Sequence, residues 1–293
     1  MVFQHYREGD YAALSDFLVE LCRGDRSHIN WNWARLEWMI EHPECDRSLL
    51  GSVGLWREGE RIVGAAIYDM YFGEAFCGAL PGYEALYPEI LDYAWRELRD
   101  EAGLGVSICE DCAFEIAAAE ATGFVRAEQT ETVMRVEFDG TPTAALPEGL
   151  RLAEIDFASE ADLRTLQWLL WRGFDHGDDR AAFEEDLERT RQLGLKLRPH
   201  FDRRLSLAAL DGAGEGAAYC CLWVRPDTDY AYVEPVCTVP AWRGKGAAKA
   251  LLYEAFARAR SLGAKSAYVI SDQAFYEKLG FRTDRRFVYY RKK

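Results

Sequence analysis

The stretch Tyr230–Leu252, YAYVEPVCTVPAWRGKGAAKALL, passes from a run of β-forming residues into a run of helix formers, with Arg-Gly-Lys-Gly at the junction. The spacing of Leu251, Leu252, Ala255 and Phe256 from Lys249 onward marks a helix with one apolar face. Tyr230 to Val239 reads as a strand in which Pro235 removes one ladder N–H, which fits a bulge or a place where the sheet opens. Gly244 and Gly246 therefore fall where the first N–H groups of a helix lack partners and the helix dipole is positive. Such a junction is either a plain turn or a cradle for an anion such as a pyrophosphate, with Arg243 and Lys245 adding cations.

Working outward, the chain reads as two halves of similar layout. The stretch DGTPTAALPEG, Asp139 to Gly149, has the Pro, Gly and small residues of a linker. Before it, a helix-like run closes on Gly123-Phe124 and is followed by a strand. The last residues of the chain repeat this order at Gly280-Phe281. Each half also opens with a helix (Tyr11 to Cys22; Glu160 to Gly173) and continues with a hairpin turning at Glu58-Gly59 or between Asp211 and Gly216. A strand, a long helix and a further strand then follow. Strands interleaved with helices predict an α/β fold, each half a mixed, mostly antiparallel sheet flanked by helices. The expected division is residues 1–138, a linker at 139–149, and residues 150–293.

With AFYEKLGF at residues 274–281, the Tyr230–Leu252 stretch resembles the GNAT superfamily of acetyl-CoA-dependent N-acyltransferases. The resemblance is at full motif strength from about Leu150 to Lys293. The family's Arg/Gln-x-x-Gly-x-Gly/Ala motif matches Arg243, Gly246 and Ala248. The resemblance implies acetyl-CoA as co-substrate, with no metal. Its pantetheine arm would lie along Val236, Cys237, Thr238 and Val239. Its pyrophosphate would sit on Arg243, Gly244, Lys245, Gly246, Ala247, Ala248 and Lys249. Tyr276 matches the family tyrosine near the coenzyme sulfur and would protonate the leaving thiolate. Glu234 stands where many members carry a carboxylate that binds or deprotonates the amine. Where the family commonly has Asn before the last helix, this chain has Asp272, a good N-cap; Asp272 and Phe275 are assigned to the coenzyme side.

The first half shares the order of elements without the signature. CGALPGYEALYPEIL stands where the loop should be, and Ala119 stands where Tyr276 does. The first copy is therefore expected to be degenerate, binding no coenzyme. Trp31, in the dense NWNW segment, either lines a pocket or packs at a domain interface. In the second half Asp175, His176 and Asp178 form an acidic stretch suited to an amine, or simply a polar loop. Cys237 reads as a packed strand thiol with no activating base.

The net charge of −14 argues against nucleic acid as a partner, since such binders show a basic footprint. No run approaches the ~18 apolar residues of a membrane helix. The N-terminal residues lack a signal-peptide layout. A soluble cytoplasmic protein, monomer or homodimer, is expected, and its eight Cys read as reduced thiols rather than a metal set. The expected function is transfer of an acetyl group to the primary amine of a small molecule in a ternary complex. A mycothiol-synthase-like or antibiotic-modifying enzyme is the alternative within that class, and a non-catalytic acetyl-CoA-binding regulator the alternative outside it.

Overall fold

The computed structural model describes every residue except 25, 43, 44, 141, 142 and 192–198, so two positions of the expected linker lie outside the described residues. The first half runs β1 (Val2–His5), α1 (Tyr11–Leu21), α2 (Trp33–Glu41), β2 (Gly54–Glu58), β3 (Arg61–Asp69), β4 (Tyr71–Ala79), α3 (Tyr87–Glu97), β5 (Leu104–Cys109), α4 (Ala113–Ala121) and β6 (Val125–Glu137). The second runs β7 (Arg151–Glu154), α5 (Glu160–Gly173), α6 (Arg180–Arg191), β8 (Ser206–Leu210), β9 (Gly216–Val224), β10 (Tyr230–Thr238), α7 (Ala247–Ser261), β11 (Ser266–Ile270), α8 (Ala274–Lys278) and β12 (Arg282–Lys292).

Local chemistry accounts for the boundaries. The Asn32 side chain accepts from the Ala34 and Arg35 N–H groups to start α2, and Ser159 caps α5 by accepting from Asp162. The two Gly-Phe pairs close α4 and α8 in the same way. Gly123 and Gly280 have φ of 89° and 98°. Phe124 N–H donates to Ala119 O at 2.9 Å and Phe281 N–H to Tyr276 O at 3.1 Å. This is the Schellman closure, which needs the left-handed residue that only Gly adopts freely.

The chain divides into two compact units. The first is Met1–Met134 with Ile270–Gln273 and Thr283–Lys293; the second is Arg135–Val269 with Ala274–Arg282. The last strand of the chain thus lies in the first unit. There the strands follow the order β1-β2-β3-β4-β5-β12. β12 runs antiparallel to β5 from Phe287↔Cys109 to Lys292↔Leu104, and β4 and β5 are parallel, paired at Glu74↔Gly105 and Ala75↔Val106. Adjacent cross-strand pairs point to opposite faces. A Cβ on Gly78 would meet Leu21 of α1, and one on Gly64 would meet Ile90 of α3. Since Gly64 pairs with Ala79 and Gly78 with Ala65, α1 and α3 cover opposite faces of the sheet.

In the second unit the order is β11-β10-β9-β8-β7, antiparallel except for β10 and β11. The expected mixed, mostly antiparallel sheets flanked by helices are therefore present. A register shift between Val233 and Val236 inserts one extra residue in β10, because Val233 pairs with Leu222 and Val236 with Cys220. Simple alternation places Tyr232, Glu234, Val236 and Thr238 on one face. The bulge overturns this: Tyr232 shares a face with Cys237, and Val236 and Thr238 share the other with Val233. α5 lies on the Cys237 face, where a Cβ on Gly173 would come within 2.5 Å of Cys237 Sγ.

Candidate active site

The site begins where β10 loses its partner. β10 and β11 are paired in parallel only over Tyr230–Tyr232 and Ser266–Tyr268. On its other side β10 stays bonded to β9 through Thr238, and Val239 N–H donates to Ala217 O at 3.0 Å. From Glu234 to Thr238 one backbone edge of β10 therefore has no β11 partner. The bulge falls at the start of this opening. Trp223 Nε1 donates to Glu234 O at 2.7 Å and fixes the bulged backbone.

Past β10 a single turn, Pro240–Trp242, leads into the glycine loop. Gly244 has φ 73°, and Gly246, the N-cap of α7, has φ 92°. An added Cβ at either position meets no protein atom within 4 Å, so the left-handed backbone is what requires Gly there. No side chain caps α7. The first bond into the helix runs from Ala250 N–H to Gly246 O at 3.0 Å, which leaves the N–H groups of Ala247, Ala248 and Lys249 ahead of it as unpaired donors. An uncapped N-terminus with open space above its glycines has the shape and sign to receive a phosphate.

The cations of the loop are arranged differently from the simple expectation. Arg243 Nε donates to Thr238 O at 3.0 Å, and its Nη2 donates to Gly173 O at 3.1 Å and Asp175 Oδ1 at 2.8 Å. Its guanidinium thus ties the end of β10 to the end of α5. Lys245 Nζ lies 4.9 Å from the Trp242 ring centre, and Lys249 Nζ 5.5 Å from that of Tyr253. Asp175, which has φ 64°, is the ion-pair partner of Arg243. Asp178 pairs with Arg172 at 2.5 Å, and His176 packs on Trp171 with ring centres 4.9 Å apart.

Tyr276 is 8% exposed and packs against Phe275 and Phe281 with ring centres 5.1 and 5.4 Å away. Among the described residues nothing hydrogen-bonds its hydroxyl. Burial pushes its phenol well above the ordinary tyrosine value, and the charges of Glu234 and Cys220 push it further the same way. Cys237 is raised to about 12, chiefly by burial, and packs against Gly173, so it remains a thiol. Asp272 is exposed and belongs to the first unit, where the Ser271 hydroxyl accepts from Gln273 N–H at 3.1 Å.

Glu234, Tyr276, the β10 edge and the glycine loop all belong to the second unit. Trp31 lies in the first unit. It is 2% exposed and stacks on Phe76 at 5.7 Å and 7°, with the Arg35 guanidinium 4.8 Å from its ring centre. It also borders a small cleft with Asn30, Asp69, Ser107 and Tyr289. At the position of the glycine loop in the first half, Gly82 N–H donates to the Glu84 carboxylate at 2.9 Å. An acid there occupies a donor that a phosphate would need. The close approach of Gly173 to Cys237 was missed from sequence; the only signal was a Gly at the end of an otherwise well-formed helix.

A sheet opened beside a strand-to-helix loop with an uncapped N-terminus defines an acetyltransferase-type α/β fold. Residues 163–281 match the model of the acetyltransferase (GNAT) family. No curated protein matches the chain in sequence. Among solved structures, a GCN5-related N-acetyltransferase from Sphaerobacter thermophilus aligns with TM-score 0.62 at 17% identity, over 99% of this chain and 95% of that one. A tandem GNAT protein from the clavulanic acid biosynthesis pathway aligns with TM-score 0.61 at 18% identity, over 99% and 98% of the two chains. A GNAT-family acetyltransferase from Colwellia psychrerythraea aligns with TM-score 0.57 at 13% identity, over 100% of each. These identities speak to the fold.

Proposed function

We propose that the second unit transfers an acetyl group from acetyl-CoA to a primary amine of a small molecule, by direct attack within a ternary complex. The observation that carries this reading is the uncapped α7 N-terminus behind Gly244 and Gly246, set beside the free edge of β10. The loop amides would hold the pyrophosphate and the β10 edge the pantetheine arm, as an added strand would be held.

Glu234 takes a proton from the ammonium, directly or through water, which leaves a neutral nucleophile. The amine nitrogen bonds to the thioester carbon, a strand N–H near Val236 to Thr238 stabilises the developing oxyanion, and the carbon–sulfur bond breaks. Tyr276 gives its proton to the departing thiolate. Because its phenol is raised, it is protonated at neutral pH, as a general acid must be. In the first unit the Glu84 contact at Gly82 disfavours a phosphate, which supports one coenzyme site per chain.

Titration calorimetry with acetyl-CoA tests the reading, coupled to detection of released CoA thiol over a panel of small primary amines. One site per chain and amine-dependent thiol release are expected. Binding without release from any amine would favour a coenzyme-binding regulator, and no binding would reduce the loop to a turn.

A further inference from the structure

The first unit holds a pair of thiols that acetyl transfer does not use. CEDC at residues 109–112 is the only Cys-x-x-Cys in the chain. β5 ends on Cys109, and Cys112 is the residue immediately before α4. Cys112 N–H donates to Cys109 O at 3.0 Å, which closes a turn. A hydrogen-bonded turn of this span brings its end Cα atoms within about 7 Å, within reach of a disulfide.

The two thiols act on each other: hydrogen bonding between them lowers Cys109 and raises Cys112. That bond is the main reason the Cys109 thiol is held down to about 7; burial opposes it, and the Asp111 N–H and the Arg285 charge assist. Cys109 is 1% exposed, whereas Cys112 is half-buried and open to reagents. The same hydrogen bond pushes the Cys112 thiol far up, with burial and the Glu115 charge adding to the rise, so the proton the pair shares rests on Cys112. The remaining cysteines are buried, and burial raises each of their thiols.

We propose that Cys109 and Cys112 are a reversible dithiol–disulfide couple that exchanges with low-molecular-weight disulfides. Cys112 attacks one sulfur of the external disulfide as its proton passes to the Cys109 thiolate; a new S–S bond forms, and the external thiolate that leaves takes up that proton. The Cys109 thiolate then attacks Cys112 Sγ, closing the internal disulfide and releasing the second external thiolate. The protein loses two hydrogens and two electrons, and the external disulfide is reduced to two thiols.

The full-length protein, equilibrated in buffers from fully reduced to mostly oxidised glutathione and then acid-quenched and alkylated, provides the test. Trypsin cuts after Arg99 and Arg126, so residues 100–126 form one peptide with Cys109 and Cys112 as its only cysteines. The expected result is a shift of this peptide from doubly alkylated to an unalkylated species two hydrogens lighter, reversed by dithiothreitol. In Cys109→Ser the peptide should instead carry glutathione on Cys112. A peptide that stays doubly alkylated at every ratio overturns the proposal, as does wild-type peptide that accumulates the glutathione adduct without closing. The wild-type readout stands even if the variant folds poorly.

Discussion

Tyr276 sits at a helix end where its carbonyl accepts from Phe281 and its ring is held between Phe275 and Phe281, so its hydroxyl has little rotational freedom. The acid role proposed for it rests on its environment. A phenol raised by burial and by Glu234 stays protonated beyond the ordinary tyrosine value near 10. The alkaline limb of a pH–rate profile below that value should then belong to another group. Tyr276→Phe is expected to lower kcat by roughly 100-fold with little change in KM for acetyl-CoA, and to leave the acid limb of the profile unmoved. Steady-state kinetics across pH checks this; an unchanged kcat would make Tyr276 a packing residue.

Among elements, the junction of α5 with β10 is a close fit in the second unit. A Cβ at Gly173 would stand 2.5 Å from Cys237 Sγ and 2.8 Å from its Cβ. Gly173→Ala is expected to destabilise the protein by about 1–3 kcal/mol through overpacking. Chemical denaturation should show this, and partial relief in the double variant with Cys237→Ala would identify the contact as the cause. The same junction shows what the sequence can and cannot convey. The glycine loop was legible because a left-handed N-cap between a strand and a helix leaves Gly at Gly244 and Gly246. The hairpins and Gly-Phe closures were legible for the same local reason. The bulge was not, since an extra residue opposite β9 depends on the partner strand and reverses the faces that alternation assigns to Tyr232 and Val236. Nor was the Arg243–Asp175 pair, whose members are far apart in the chain.

At the scale of the whole molecule, many acidic protons are buried. Burial raises the thiols of Cys22, Cys77 and Cys220, takes those of Cys221 and Cys237 to about 12, and raises the phenols of Tyr87 and Tyr219 far above normal. In the unfolded chain these groups lose their protons near pH ~8.5 for Cys and ~10 for Tyr. Above those values the folded state holds protons that the unfolded state has released, so stability falls as pH rises. Each such group contributes a slope of about 1.4 kcal/mol per pH unit once its unfolded form is deprotonated. Calorimetric melting under reducing conditions should show Tm changing little from pH 7 to 8 and falling with increasing steepness past about 9. A flat profile to pH 10.5 would contradict the buried assignment of these side chains.

The placement of β12 bears on how the chain is made. Its residues complete the first unit by pairing with β5, and they are synthesised after β7 to β11 of the second unit. A ribosome would have to extrude β7 to β11 and then β12 itself before the β5 edge could be covered. The first unit therefore cannot finish folding before the second has been synthesised. Until then β5 presents an unpaired strand edge, a surface that chaperones bind and that invites pairing with a neighbouring nascent chain.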